Sequence, residues 1–264
     1  MAKGIKRLII NSAAAVLPAR CKHLLFHFSL AIMDEQEKAH VRHLYNMTTL
    51  RWTLQNLARL GQRLEQVIDV GAYEGEWTEE VLAVYPDAKV LMVEAQPAKE
   101  PFLRGVVERH PSQVQYALTL AGPEPRPSVE FYEMELGSSV LYENTKADRR
   151  KVSRPMTTLD LLAGEHRMER VDLLKLDVQG YELEVLNGAA ALLLRADLVL
   201  LEVSLLPIIQ GAPLMPEVIA FMRARNFVPY DICTHMRRPS DLTLWQVDML
   251  FARADSPLLV NCAL

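Results

Sequence analysis

The chain has 264 residues, half of them hydrophobic and 23% charged, with a formal net charge of −4. That is the make-up of one large globular domain with an appendage, and it lacks the global positive field that holds proteins on nucleic-acid phosphates. Cys21, Cys233 and Cys262 form neither a CxxC pair nor an even set, which argues against a zinc site or a disulfide framework and fits a reducing, cytoplasmic compartment.

The first stretch, MAKGIKRLIINSAAAVLPAR, imitates the charged start, apolar middle and small-residue end of a secretion signal. The next run, HLLFHFSLAIM, is broken by His27 and followed by the charged DEQEKAHVR. Residues 1–62 therefore read as two or three amphipathic helices forming a cap, and neither run approaches the roughly 20 apolar residues that span a bilayer. Lys3, Lys6, Arg7, Arg20 and Lys22 flank the apolar faces. A second reading stays open, in which these helices are a contact surface for the membrane periphery or for another copy of the chain.

Residues 63–264 read as one domain in which short β-branched runs alternate with helical patterns, the mark of βα units and a mostly parallel sheet. Strands are expected at 66–70, 89–93, 114–120, 172–177, 197–203, 227–232 and 244–252. Helices are expected in EWTEEVLAVY, AKEPFLRGVVERH, YELEVLNGAAALLLR and PEVIAFMRARN, whose apolar residues recur at spacings of three and four. Between the third and fourth strands, at about 121–156, the pattern lapses into an insertion. There SVEFYEM and SSVLYE are expected to pair as a hairpin, KADRRK to be a solvated loop, and TTLDLL to open a short helix behind a threonine N-cap. The last strand follows its predecessor without a crossover helix and so is expected to run antiparallel. The expected fold is α/β, a seven-stranded sheet with one reversed strand near its edge and helices at the N-terminus.

In such a sheet a ligand sits at the carboxyl ends of the strands, where the strand order reverses. VIDVGAYEG ends the first strand there. A dinucleotide site wants GxGxxG, but here Gly71 and Gly75 enclose Ala72, Tyr73 and Glu74, and a carboxylate at Glu74 repels a diphosphate. The turn suits S-adenosylmethionine, which is cationic at sulfur and carries no phosphate. Glu94, closing KVLMVE beside Ala95, is placed to accept both ribose hydroxyls. An acid there serves NAD as well, so glycine spacing and Glu74 together make the distinction. Asp69 either binds the amine of the methionyl tail, directly or through water, or caps a helix.

These motifs, with VEAQP, the GSSV of 137–140, LLKLDVQGYELEVLNGA, LLEVS and LWQVDMLF, resemble the FkbM-type S-adenosylmethionine-dependent methyltransferases from about Val67 to Phe251. The resemblance implies a class I methyltransferase, Rossmann-like fold and methylation of a hydroxyl on a sugar, polyketide or other secondary metabolite. It leaves the first 60 residues uncovered. Gln179 departs from it, because the family often has glutamate at that place.

An alcohol becomes a competent nucleophile when a base or a metal takes charge of its proton. Asp177, at the end of the fourth strand, is the first candidate. It acts as base or binds Mg²⁺ together with Glu202, or it only caps the following helix. Glu202 has the alternative of pairing with Lys175 or Arg238. His235, read as a loop residue, has the pKa range for proton transfer. Asp248, between apolar neighbours, needs a partner, with Arg237 and Arg238 the candidates. Ser138 and Ser139 either reach cofactor or acceptor or close a hairpin turn. Tyr73 and Trp77 are candidates for the pocket wall, with Trp77 also expected in the core. Two other functions are consistent with these residues: a nicotinamide-dependent oxidoreductase and a module that binds a nucleoside without turnover.

Overall fold

The computed structural model describes residues 33–34, 49–134, 137–142, 149–238 and 240–260. Most of the expected N-terminal cap, together with Cys21, Cys262 and residues 143–148 of the insertion, lies outside them. The compact unit that carries the crevice begins at Thr49.

In chain order, helix α1 (Leu50–Arg59) leads to β1 (Gln66–Val70), α2 (Glu76–Val84), β2 (Lys89–Glu94), α3 (Glu100–Arg109) and β3 (Val114–Leu118). The insertion follows as β4 (Leu120–Ala121), β5 (Arg126–Glu133), β6 (Arg150–Thr157) and α4 (Leu159–Glu165). Then come β7 (Val171–Leu176), α5 (Glu182–Asn187), α6 (Ala190–Leu193), β8 (Ala196–Ser204), α7 (Met215–Arg223), β9 (Phe227–Arg237) and β10 (Leu244–Arg253). The main sheet has the order β3-β2-β1-β7-β8-β10-β9, with β10 antiparallel to both its neighbours. This is the expected seven-stranded sheet with one reversed strand near its edge. Among the described residues no helix is long and apolar enough to cross a membrane.

Alternation along each strand feeds two cores. Ile68, Leu91, Leu174 and Val199 pack with Leu162, Val185, Leu192 and Val218 of α4 to α7 on one face. Their neighbours Val67, Val90, Leu173 and Leu198 pack with Leu54 and Leu57 of α1 and Val81 of α2 on the other. Full burial of each such aliphatic side chain is worth about 2 kcal/mol. α1 starts where Thr49 Oγ1 accepts the Trp52 N–H at 3.1 Å, and the threonine cap expected for the short helix is Thr158, which accepts from Leu161.

Three local expectations are corrected. The run VQYALTL is split: β3 stops at Leu118, the Thr119 N–H donates to the Glu94 carbonyl at 2.9 Å, and β4 leaves for a second sheet of order β4-β6-β5. In that sheet β5 pairs antiparallel with β6, so Arg150 and Lys151 of the supposed loop open a strand, and the described residues of SSVLYE contribute the bridge Tyr132–Ser139. Pro155 disguises β6 in the sequence; the pairing register shifts between Arg126 and Val129, across from it. Phe131 and Met156 give this sheet an apolar centre, and Glu133 pairs with Arg150 and Arg154. Finally, YELEVLNGAAALLLR is two short helices. At Gly188 a Cβ would stand 2.0 Å from the Gly122 carbonyl oxygen. The chain breaks there, and Asp160 accepts from Ala191 and Leu192 to start α6.

Candidate active site

The strand order reverses between β1 and β7, and a cavity of about 420 Å³ opens there, lined among others by Gly71, Ala72, Tyr73, Glu94, Ala95 and Asp177. Its floor is the glycine turn. Gly71 has φ +75°, and a Cβ on it would lie 1.9 Å from the Asp177 carbonyl oxygen, so only glycine lets the turn pass the end of β7. The Gly71 and Ala72 N–H groups both donate to the Val93 carbonyl, at 2.9 and 3.2 Å. Gly75 begins α2 at φ +82° without a side-chain cap and does not line the cavity.

Glu94 is 5% exposed. Its Oε2 accepts the Tyr73 N–H and its Oε1 the Gln96 N–H, both at 2.8 Å. Burial pushes its carboxyl above the ordinary range, and the N–H donors of Gln96 and Tyr73 oppose that push. The Ala95 N–H is a third donor to this carboxyl, which with two lone pairs on each oxygen still has capacity for a further one. Tyr73, at φ +50°, is thus held in a strained conformation by a carboxylate one strand away.

Glu74 is not the free charge that the sequence suggested. Lys99 pairs with it at 2.8 Å and lies 3.7 Å over the Tyr73 ring. The cation shields much of the repulsion that Glu74 offers to an anion, so Glu74 carries less of the discrimination than its position implied. Trp77 is buried in the core against α1 and also lines the cavity. Its indole N–H has no acceptor among the described residues.

Asp69 faces away from the ligand space, fully buried below the turn. Its Oδ2 accepts the Thr78 hydroxyl at 2.9 Å, and Lys175 Nζ stands 3.0 Å from Oδ1. The register places Asp69 beside Lys175 on adjacent parallel strands, so both side chains leave the sheet on one face. Asp69 does not line the cavity, and its described contacts are with Thr78 and Lys175. Lys175 also donates to the Gly71 carbonyl at 3.3 Å and reaches Asp177 Oδ2 at 3.8 Å. Burial would push the Lys175 ammonium down, but Asp69 and Asp177 outweigh it and hold the pKa above its ordinary value.

Across the crevice the acids gather. Gln179 Nε2 donates to Asp177 Oδ1 at 3.0 Å and to Glu202 Oε2 at 2.6 Å. Burial, then the negative charges of Asp177, Glu182 and Asp248, drive the Glu202 carboxyl well above the usual range. Glu182 is pushed to about 7 by burial, against the N–H donors of Gly180 and Val178. Burial also raises Asp248, which accepts from the Thr234 hydroxyl. Arg237 and Arg238 are not its partners: they bond the Leu242 carbonyl and Asp241. Glu202 likewise pairs with Gln179, because Lys175 and Arg238 are committed elsewhere. Asp177 caps no helix; the N-cap position of α5 is Tyr181.

Of the expected residues, Glu202, His235 and Ser139 stand outside the cavity lining, as do Asp69 and Gly75. His235 is a β9 residue, not a loop residue, with an exposed side chain, and the residue that lines the cavity from β9 is Met236. The hydroxyl of Ser139 donates to the Gln179 carbonyl at 2.8 Å. Ser138 closes its turn on Met134 and does line the cavity. Among the described residues no group of three or more His, Cys, Asp or Glu is arranged to hold a metal ion; Asp177 and Glu202 offer two carboxyls with an amide between them. The sequence reading missed Glu182 and the hub role of Lys175. A lone charge in the apolar run DLLKLD was the available signal for the latter.

Strand order and crevice define a class I methyltransferase fold. Residues 69–229, more than half of the chain, match the family model described as the methyltransferase FkbM domain, and the chain belongs to that family. It is 28% identical over 142 residues to "Methyltransferase 1" of Beauveria bassiana (strain ARSEF 2860), covering 46% of this chain and 57% of that protein, so less than two thirds of the relative is spanned. Among solved structures it is similar to methyltransferase FkbM of Methylobacillus flagellatus KT, with 14% identity and a TM-score of 0.45 over 70% of this chain and 43% of that one. It is also similar to a 1,6-didemethyltoxoflavin-N1-methyltransferase of Burkholderia thailandensis, solved with S-adenosylhomocysteine, with 16% identity and a TM-score of 0.43 over 90% and 92% of the two chains.

Proposed function

We propose that the chain is an S-adenosylmethionine-dependent methyltransferase acting on a hydroxyl oxygen of a small-molecule or glycan acceptor. The observation that carries this reading is the cavity at the strand-order reversal. Glu94 stands on one wall, anchored by backbone N–H groups with capacity to spare, and Asp177 stands on the other. The side chains present fit an adenosyl sulfonium: Glu94 as an acid for the ribose hydroxyls, and a surplus of acids on the opposite wall. The bound cofactor supplies a methyl group on a positively charged sulfur, open to in-line displacement.

Glu94, Ala95 and the Gly71–Tyr73 turn hold the nucleoside and the methionyl part. Asp177 accepts the proton of the acceptor hydroxyl as that oxygen becomes methylated. Lys175 and Gln179 keep the Asp177 carboxylate in place. Ser138, Phe131, Val140 and Met236 line the cavity from outside the nucleotide-binding half and exclude water from the acceptor side.

A thermal-shift panel tests the reading. At a hundredfold excess over its dissociation constant, S-adenosylhomocysteine should stabilise the protein by about 3 kcal/mol, while NAD and ATP leave it unchanged. Methyl-labelled cofactor should then mark a hydroxylated acceptor, identified by mass. Stabilisation by NAD alone overturns the reading in favour of an oxidoreductase. Label found on nitrogen or carbon overturns the choice of oxygen, and binding with no label transferred to any acceptor leaves a nucleoside-binding module in its place.

A further inference from the structure

Gln179 has φ +53° and is followed by Gly180 at φ +89°. A side chain other than glycine or asparagine is strained in that region, so the turn holds glutamine there against a local preference. Its contacts explain what holds it. The side-chain amide has two hydrogens, and one is directed to Asp177 Oδ1 at 3.0 Å while the other goes to Glu202 Oε2 at 2.6 Å. In this orientation the amide donates to both acids, and the reverse one would forfeit both of those donors. The main-chain carbonyl of Gln179 accepts the Ser139 hydroxyl at 2.8 Å, and Ser139 Oγ in turn accepts the Leu141 N–H at 3.0 Å. One residue therefore ties the end of β7, the end of β8 and the 137–142 segment of the insertion to one another.

The charged and titratable groups around Asp177 come from every neighbouring element: Lys175 on β7, 3.8 Å from Oδ2; Asp69 on β1, paired with that lysine; Glu202 on β8; Asp248 on β10; and Glu182 on α5. Lys175 addresses one oxygen of Asp177 and Gln179 the other. We infer that Gln179 is a positioning residue for Asp177: its amide, wedged between two acids, sets the direction in which the Asp177 carboxylate meets the acceptor, and Ser139 transmits the placement of the insertion to it. The inference deepens the methyltransferase proposal and rests on Asp177 being the acceptor-side base. Glutamine is suited to the place because glutamate would put a third carboxyl where two N–H donors now stand.

Methyl transfer to the acceptor found by labelling, with S-adenosylhomocysteine affinity measured by calorimetry beside it, tests this. Gln179→Leu should lower the turnover number about tenfold while the KM for cofactor and the affinity for S-adenosylhomocysteine stay at wild-type values. In protein that keeps Gln179, its side-chain amide resonance should move on Asp177→Asn and again on Glu202→Gln, because both acids accept from that amide. A Gln179→Leu protein with wild-type turnover and full affinity for S-adenosylhomocysteine, or an amide resonance indifferent to both substitutions, would overturn the inference. If the wild type takes up no S-adenosylhomocysteine, the methyltransferase reading fails, while the amide resonance of the free protein still decides whether Gln179 holds Asp177.

Discussion

The two walls of the crevice are built by different means. On the β1–β2 side a single acid, Glu94, is fixed by backbone N–H groups from residues 73 and 96, and the glycine turn is fixed by backbone contact with β2 and β7. On the β7–β8–β10 side Asp177, Glu202 and Asp248 are held by the side chains of Lys175, Gln179 and Thr234, and only Glu182, on α5, by backbone N–H groups. Backbone-built sites depend on local conformation and tolerate little change of shape. A network of coupled side chains depends on charge and answers to pH. The first wall is therefore suited to holding a ligand common to a fold, and the second to handling a proton.

The sharpest way to separate the walls is Asp177→Ala, which should lower methyl transfer by about a thousandfold while leaving S-adenosylhomocysteine affinity near wild type. Full activity in that variant would strip the acid-rich wall of its proposed role. Next in size is Glu182→Gln. The unfolded glutamate titrates near 4.5 and the folded one near 7. Between those values the native state keeps a proton that the unfolded chain has released. Stability contributed by this group is therefore complete below the lower value and is lost as pH rises through the upper one, by about 3 kcal/mol in all. The glutamine variant retains an oxygen for the Val178 and Gly180 N–H groups and should show a flatter denaturation midpoint from pH 5 to 8. Glu202 and Asp248, raised in the same direction, leave a residual slope. Superimposable curves for wild type and variant would mean that Glu182 does not titrate in this window.

How much of each wall was legible in the sequence follows from the same contrast. Gly71, Tyr73 and Glu94 are read from a strand, a turn and a second strand, all local patterns, and they line the cavity as expected. The sheet order and its reversed strand follow from alternating elements and a missing crossover helix. On the other wall, Asp177 was visible as a strand-end acid, but its partners depend on register. The pairing of Asp69 with Lys175, and of Glu202 with Asp248 across antiparallel strands, is set by sheet neighbours more than a hundred and more than forty residues apart in sequence. His235 was misplaced because β9 runs to Arg237, well past the apolar run that announced it. The second sheet was obscured by Pro155, which reads as a strand breaker until a register shift accommodates it.

Glu94→Ala probes the backbone-built wall. It removes an acceptor for the ribose and releases the Tyr73 N–H, and a lost charge-assisted hydrogen bond of this kind is worth roughly 2 kcal/mol, or about thirtyfold in affinity for S-adenosylhomocysteine by calorimetry. Glu94→Gln sharpens the result, since it keeps one oxygen acceptor but places an NH₂ group against one of two N–H donors. Equal losses in the two variants would indicate that the carboxylate as a whole is required. An alanine variant with undiminished affinity would move the ribose elsewhere in the cavity.

Ser139→Ala has the smallest expected effect and tests whether the insertion belongs to the acid-rich wall or only rests on it. Its hydroxyl donates to the Gln179 carbonyl and accepts from Leu141, so its removal should cost about 1 kcal/mol of stability in urea denaturation. Because Ser139 is buried and does not line the cavity, S-adenosylhomocysteine affinity should be unchanged. Gln179, freed on its main-chain side while still held in a left-handed turn, should present Asp177 less uniformly. The turnover number should therefore fall by a few-fold with the KM for cofactor constant. A loss of stability with no change in turnover would confine Ser139 to the fold of the insertion. A loss of cofactor affinity would show instead that the insertion braces the wall built by the glycine turn.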